Sequence, residues 1–121
     1  MKNLEHLEQC ALMRWCQLNE QKYPELRWIY AIPNGGQRNI AVAAKLKKEG
    51  VKAGVPDLCL PAARGGYNAL YIELKAGKNK PTASQIEWQG GLNELGNMAI
   101  TCWGWEAASK RIEEYLNLRG G

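Results

Sequence analysis

Three side chains in this sequence have the types and spacing for chemistry on a phosphate. They are Asp57 in Gly54-Val55-Pro56-Asp57, and Glu73 and Lys75 in Leu70-Tyr71-Ile72-Glu73-Leu74-Lys75. Read as two strands joined by a turn, Leu58 and Leu60 point one way and Asp57 and Cys59 the other. Leu70, Ile72 and Leu74 then share one face of the second strand, and Tyr71, Glu73 and Lys75 the opposite one. Hydrolysis of a phosphodiester needs an activated water, neutralisation of charge on the phosphate and a stabilised leaving oxygen, and Mg²⁺ held by carboxylates meets all three needs. Mg²⁺ prefers oxygen ligands and keeps several waters, so two or three protein donors suffice. Asp57 and Glu73 are the expected ligands, the backbone carbonyl of Leu74 is a further donor, and Lys75 can orient the water or pair with the phosphate. The plain alternative is an E-x-K surface ion pair, worth about 0–1 kcal/mol, next to a Pro-Asp strand opener. The apolar setting of Leu70 to Leu74 marks an inner strand, where a charge without a role is costly.

The elements around these residues follow from periodicity. Residues 3 to 19 read as an amphipathic helix with Leu4, Leu7, Ala11, Trp15 and Leu18 as its apolar stripe and Asn3 as its cap. Glu5 and Glu8 suit the positive end of its dipole. Glu8 falls inside the apolar arc and Glu5 at its edge, so either can lean toward the acidic centre. Arg27 to Ile32 reads as a buried strand closed by the turn Pro33-Asn34-Gly35-Gly36, whose exposed N–H groups could hold a phosphate or simply turn the chain. Asn39 caps a short helix over Ile40 to Glu49, covered by Ala43, Ala44 and Leu46 and ended by Gly50.

Pro61 to Asn68 is a hairpin-like loop, and Ala76 to Pro81 a polar one. Thr82 and Gln85 form a capping box at the start of a helix that runs to Leu95. Trp88, Leu92 and Leu95 are its expected inner stripe, with Gln85 on the same side. Met98 to Trp103 is a further strand. Gly104 turns it into a last helix with Ala108, Ile112, Tyr115 and Leu116 inside, ending near Gly120-Gly121. This order predicts one α/β domain over residues 1–121, a mixed sheet flanked by helices.

Composition narrows the classes. With 45% hydrophobic and 23% charged residues the chain is ordinary globular material. No apolar run suits a membrane span and the N-terminus lacks a signal-peptide core, so a cytoplasmic protein is expected. Cys10, Cys16, Cys59 and Cys102 form no CxxC pair, and with His6 as the single histidine they make no zinc set. They are expected to be reduced thiols. The net charge of +4 decides little, but its placement says more. Arg38, Lys45, Lys47, Lys48 and Lys52 precede the Asp57 strand, and Lys78 and Lys80 follow the Glu73 strand. Asn34, Arg38, Lys78 and Lys80 are candidate DNA contacts. Taken singly, Lys45, Lys47 and Lys48 read as a solvated helix face.

Gly54-to-Asp57 followed by Glu73-Leu74-Lys75 resembles the PD-(D/E)xK signature of restriction-endonuclease-like nucleases. Together with Ile32-Pro33-Asn34-Gly35-Gly36, Tyr71-Ile72-Glu73, Gln85-x-x-Trp88 and Gly104-Trp105-Glu106 it resembles the VRR-NUC family, in particular its small stand-alone phage and bacterial members. The resemblance spans nearly the whole chain. It implies an αβββαβ core and a Mg²⁺- or Mn²⁺-dependent DNA endonuclease. Stand-alone members are similar to Holliday-junction resolvases, acting as homodimers on four-way junctions; flap cleavage, duplex nicking and a non-catalytic DNA-binding module are the alternatives. By position Asp57 and Glu73 match the metal ligands, Lys75 the catalytic lysine and Gln85 the glutamine after the motif. The family's first-helix E-x-x-x-Q matches Glu5 and Gln9, so the resemblance favours Glu5 where periodicity favoured Glu8.

Overall fold

The computed structural model describes residues 2–33 and 39–120, with side chains from residue 4 onward. Four strands form one mixed sheet in the order β1-β2-β3-β4: β1 (Tyr30–Ala31), β2 (Leu58–Leu60), β3 (Leu70–Lys75) and β4 (Met98–Trp103). β1, β2 and β3 pair antiparallel, with Leu58 opposite Ile72 and Leu60 opposite Leu70. β4 runs parallel to β3, placing Glu73 beside Thr101 and Leu74 beside Cys102. The helices are α1 (Lys2–Leu18), α2 (Ile40–Lys48), α3 (Ala83–Glu94) and α4 (Trp105–Leu116). With α2 set between the first two strands, this is the expected αβββαβ order.

The core lies on the leucine face of the sheet. Leu58, Leu60, Leu70, Ile72, Leu74 and Cys102 pack with Leu12 and Cys16 of α1 and with Ala108, Ile112, Tyr115 and Leu116 of α4. All four residues expected inside α4 are buried. That helix ends at Leu116, short of the glycines, with Asn117 as its C-cap. Its far end is stitched to the β2–β3 loop. The Tyr115 hydroxyl donates to the Ala62 carbonyl at 2.6 Å, and Arg64, paired with Glu25, donates to the Leu116 carbonyl at 3.3 Å.

Several expectations shift. On α1 the buried residues are Leu12 and Cys16, while Leu4, Leu7 and Leu18 are exposed. The face turned inward is the one shared by Glu5, Glu8, Leu12 and Cys16, because the sheet end offers polar partners as well as apolar ones. The helix already runs at Lys2, so Asn3 lies within its first turn rather than at the cap. Of the expected strand over residues 27–32, Arg27 and Trp28 close a 3₁₀ turn, Pro24–Trp28, and only Tyr30 and Ala31 form a strand, β1. Leu26 and Ile29 are buried, but Trp28 and Tyr30 are exposed, as fits an edge position. On α3 Leu92 is buried and Trp88 half-buried, whereas Leu95 faces solvent at the helix end. Ala43 and Ala44 of α2 are likewise exposed. The turn from Asn34 to Gly36, and Arg38, lie outside the described residues.

Candidate active site

The second face of the sheet carries the candidate residues. Asp57 sits one position beyond the Leu58–Ile72 pair, which puts it opposite Glu73 and on the same face. Its place is fixed from both sides. Its carbonyl accepts from Ile32 N–H at 2.7 Å, and its side-chain Oδ2 accepts from Leu74 N–H at 2.7 Å. Gly54 is needed just upstream: its φ is +92°, and a Cβ there would meet the Ser84 carbonyl oxygen at 2.7 Å. That close approach seats the Asp57 loop on the first turn of α3.

Glu73 is brought in by β3 and held by α3. Its Oε2 accepts from Gln85 Nε2 at 3.1 Å and lies 3.7 Å from Lys75 Nζ. Gln85 is itself oriented by the capping box, its Oε1 accepting from Thr82 N–H at 2.8 Å while its own N–H donates to Thr82 Oγ1 at 3.2 Å. One amide therefore completes the helix cap and aims a donor at the carboxylate. Glu73 and Lys75 are both buried, at 2% and 6% exposure, so theirs is no surface ion pair.

The two first-helix glutamates part company. Glu8 Oε1 accepts from Trp105 N–H at 2.7 Å, at the start of α4. The N-cap of that helix is Gly104, which has no side chain to offer, so an acid from α1 fills the role. Glu5 Oε2 instead accepts from Asn79 Nδ2 at 2.9 Å, and its charge reaches both Asp57 and Glu73. Asn79 is pinned by Trp103, whose indole N–H donates to the Asn79 carbonyl at 2.7 Å. Neither Asn79 nor Trp103 was legible as a site residue, since nothing local in the sequence links the β3–α3 loop to a tryptophan at the end of β4. Lys78 and Lys80 are exposed on that same loop. Asn34 and Arg38 lie outside the described residues.

The electrostatics describe a site short of positive charge. Burial, then the neighbouring Asp57 carboxyl, push Glu73 up to about 8, with Lys75 opposing and Glu5 adding to the rise. Asp57 is also raised, chiefly by burial, although the Leu74 N–H holds it back. Glu73 Oε1 is a buried oxygen with no hydrogen-bond partner. Buried polar atoms are rarely left so. An unsatisfied carboxylate oxygen beside a second carboxyl is the donor chemistry of a hard divalent cation. Among the described residues no group of three or more His, Cys, Asp or Glu side chains gathers into a metal cage. Asp57 and Glu73, opposite one another on adjacent strands, are the two carboxyls that fit such an ion.

All four cysteines are free thiols. Burial raises Cys16 to about 12 and Cys102 to about 11, which keeps them neutral and unreactive.

A mixed sheet with helices on both faces, two acids meeting across adjacent strands and a lysine beside them define the restriction-endonuclease-like class of α/β domain. No family model and no curated protein matches the sequence. A solved structure titled "VRR_NUC domain protein" does, with a TM-score of 0.81 and 34% identity over 95% of this chain and 89% of that one. The chain belongs to the VRR-NUC family, a family of nuclease domains.

Proposed function

We propose that this protein is a divalent-metal-dependent DNA endonuclease that cuts branched DNA, with the four-way junction as its preferred substrate. The observation that carries the catalytic reading is the meeting of half-buried Asp57 with buried Glu73 and Lys75, Lys75 lying at Glu73 Oε2 while Glu73 Oε1 is left without a hydrogen-bond partner. Asp57 and Glu73 would hold Mg²⁺, with Mn²⁺ as a substitute. The Leu74 carbonyl is a further donor, because a strand residue's N–H and C=O leave on the same edge and its N–H is already aimed at Asp57. When bound, the ion would neutralise phosphate charge and lower the pKa of a coordinated water.

The chain's own residues do the rest. Lys75 Nζ meets the attacking water or a non-bridging phosphate oxygen, Gln85 keeps Glu73 from turning away, and Glu5 closes the acidic wall held by Asn79. Lys78 and Lys80 face solvent beside this wall and would contact the DNA backbone, as would Asn34 and Arg38. Four free thiols suit a reducing cytoplasm, and no described helix is long and apolar enough to cross a membrane. A homodimer would match the two-fold symmetry of a junction with two linked sites.

The test is a panel of labelled four-way junction, flap and linear duplex, each with Mg²⁺, Mn²⁺ or EDTA. Junction cutting that needs the metal and falls by about 10³-fold or more in Asp57→Ala and Lys75→Ala is expected. Cutting in EDTA, or full activity in those variants, would refute the catalytic assignment. A flap preferred over the junction would refute the substrate assignment alone.

A further inference from the structure

α2 is a helix without a home in the fold. None of Ile40 to Lys48 is buried, and Ile40 is 89% exposed. Asn39 Oδ1 caps it, accepting from Val42 N–H at 2.8 Å, and Leu46 is its one half-buried side chain. A helix this short is marginal in water without tertiary packing. Its surface is also one-sided. At about 100° per residue, Lys45, Lys47 and Lys48 occupy an arc of about 160° centred opposite Leu46, with the exposed Ile40 near one edge and the small Ala41 and Ala44 at its middle. No acidic residue falls between Asn39 and Lys48.

We propose that α2 is the duplex-docking element of this nuclease, laying its lysine face along the sugar-phosphate backbone next to the cut phosphate. The inference rests on the nuclease reading above. Charge selects the occupant. Two copies meeting through α2 would press one lysine face on another, whereas a polyanion neutralises all three. The two alanines leave room for a backbone to come close. Position agrees, because α2 runs through Lys52 and the anchored Gly54 straight into Asp57, while Lys78 and Lys80 stand exposed on the other side of the acid pair in sequence. A duplex arm seated on α2 would thus lie on the segment that leads into the acidic centre.

The test uses Asp57→Asn protein, to separate binding from cutting, with a four-way junction and a linear duplex. Amide exchange over residues 40–48 is expected to slow on adding either DNA. K45A/K47A/K48A is expected to lower affinity about 10- to 100-fold and to flatten the log-affinity against log-salt slope by about 2–3, close to 0.9 per phosphate released. K45R/K47R/K48R should keep both, and the far-ultraviolet circular dichroism of all variants should match the parent. Unchanged affinity and slope in the alanine variant, with a parent that binds, would overturn this inference and leave the nuclease reading standing. Protection of α2 that grows with protein concentration in the absence of DNA would assign the helix to a second copy instead. A parent that neither binds nor cuts DNA would remove both readings together.

Discussion

β3 buries residues on both of its faces, and burial does opposite things on the two. Leu70, Ile72 and Leu74 are 0–1% exposed, and Glu73 and Lys75 on the other face are 2% and 6%. On the first face every methyl removed from water stabilises the fold, by about 25 cal/mol per Å². On the second, two ionisable groups are desolvated, a neighbouring carboxyl repels Glu73, and one oxygen has no partner. That face costs stability, and the leucine face carries it. Burial alone does not separate core from site; the chemistry of the buried group does.

The sharpest way to break this contrast is Glu73→Gln. Cleavage should fall by about 10³-fold, or about 4 kcal/mol in the barrier, while the metal-free protein becomes more stable at pH 8. The sign follows from the raised pKa. The folded state favours protonated Glu73, so its contribution is intact below the ordinary carboxylate value of 4.5 and is lost as pH rises toward about 8. Asp57, also raised, acts in the same direction. Thermal melts of metal-free wild type should therefore fall between pH 5 and pH 8 and recover on adding Mg²⁺, whereas Glu73→Gln should be flatter and respond less to the ion. A wild-type melt that rises through this window would contradict the account.

On the leucine face, Ile72→Ala should cost about 2–5 kcal/mol in denaturant unfolding, with activity per folded molecule largely kept. An Ile72→Ala protein of normal stability would mean that the two faces are not as different as drawn. The smallest effect separates the two glutamates. Glu8→Ala should cost about 1 kcal/mol through the lost cap of α4 and leave the rate per folded molecule unchanged. Glu5→Ala should do the reverse, slowing cleavage about tenfold with little change in the melt. The reverse outcome, with Glu8 governing the rate, would move the first-helix acid by one turn.

Much of this arrangement was legible in the chain. The alternation of Leu58 to Leu60 and Leu70 to Lys75 gave the right faces, and the Thr82–Gln85 capping box forms as the pattern predicts. α4 buries the stripe that its spacing marks out. Where the reading failed, a distant partner was the cause. Leu4, Leu7 and Leu18 look like a core stripe, but the surface that α1 meets includes the polar end of the sheet. Periodicity singled out Glu8 as an inward acid in need of a partner. It could not show that this partner is the uncapped N-terminus of a helix beginning at Trp105. Arg27 to Ile32 has strand composition, yet the three-residue β2 pairs only with Tyr30 and Ala31, and Arg27 and Trp28 belong to a 3₁₀ turn.

By itself the sequence determined the α/β class, the order of elements, and the pairing of Asp57 with Glu73 and Lys75, because period and spacing are local properties of the chain. Only the tertiary structure decided what each first-helix glutamate bonds to, that Gln85 serves cap and carboxylate at once, and that α2 stands clear of the core. Those outcomes depend on contacts between residues far apart in the chain, as with Glu5 to Asn79 and Glu8 to Trp105. Burial, hydrogen bonding and charge at such contacts are settled only when the whole chain has packed.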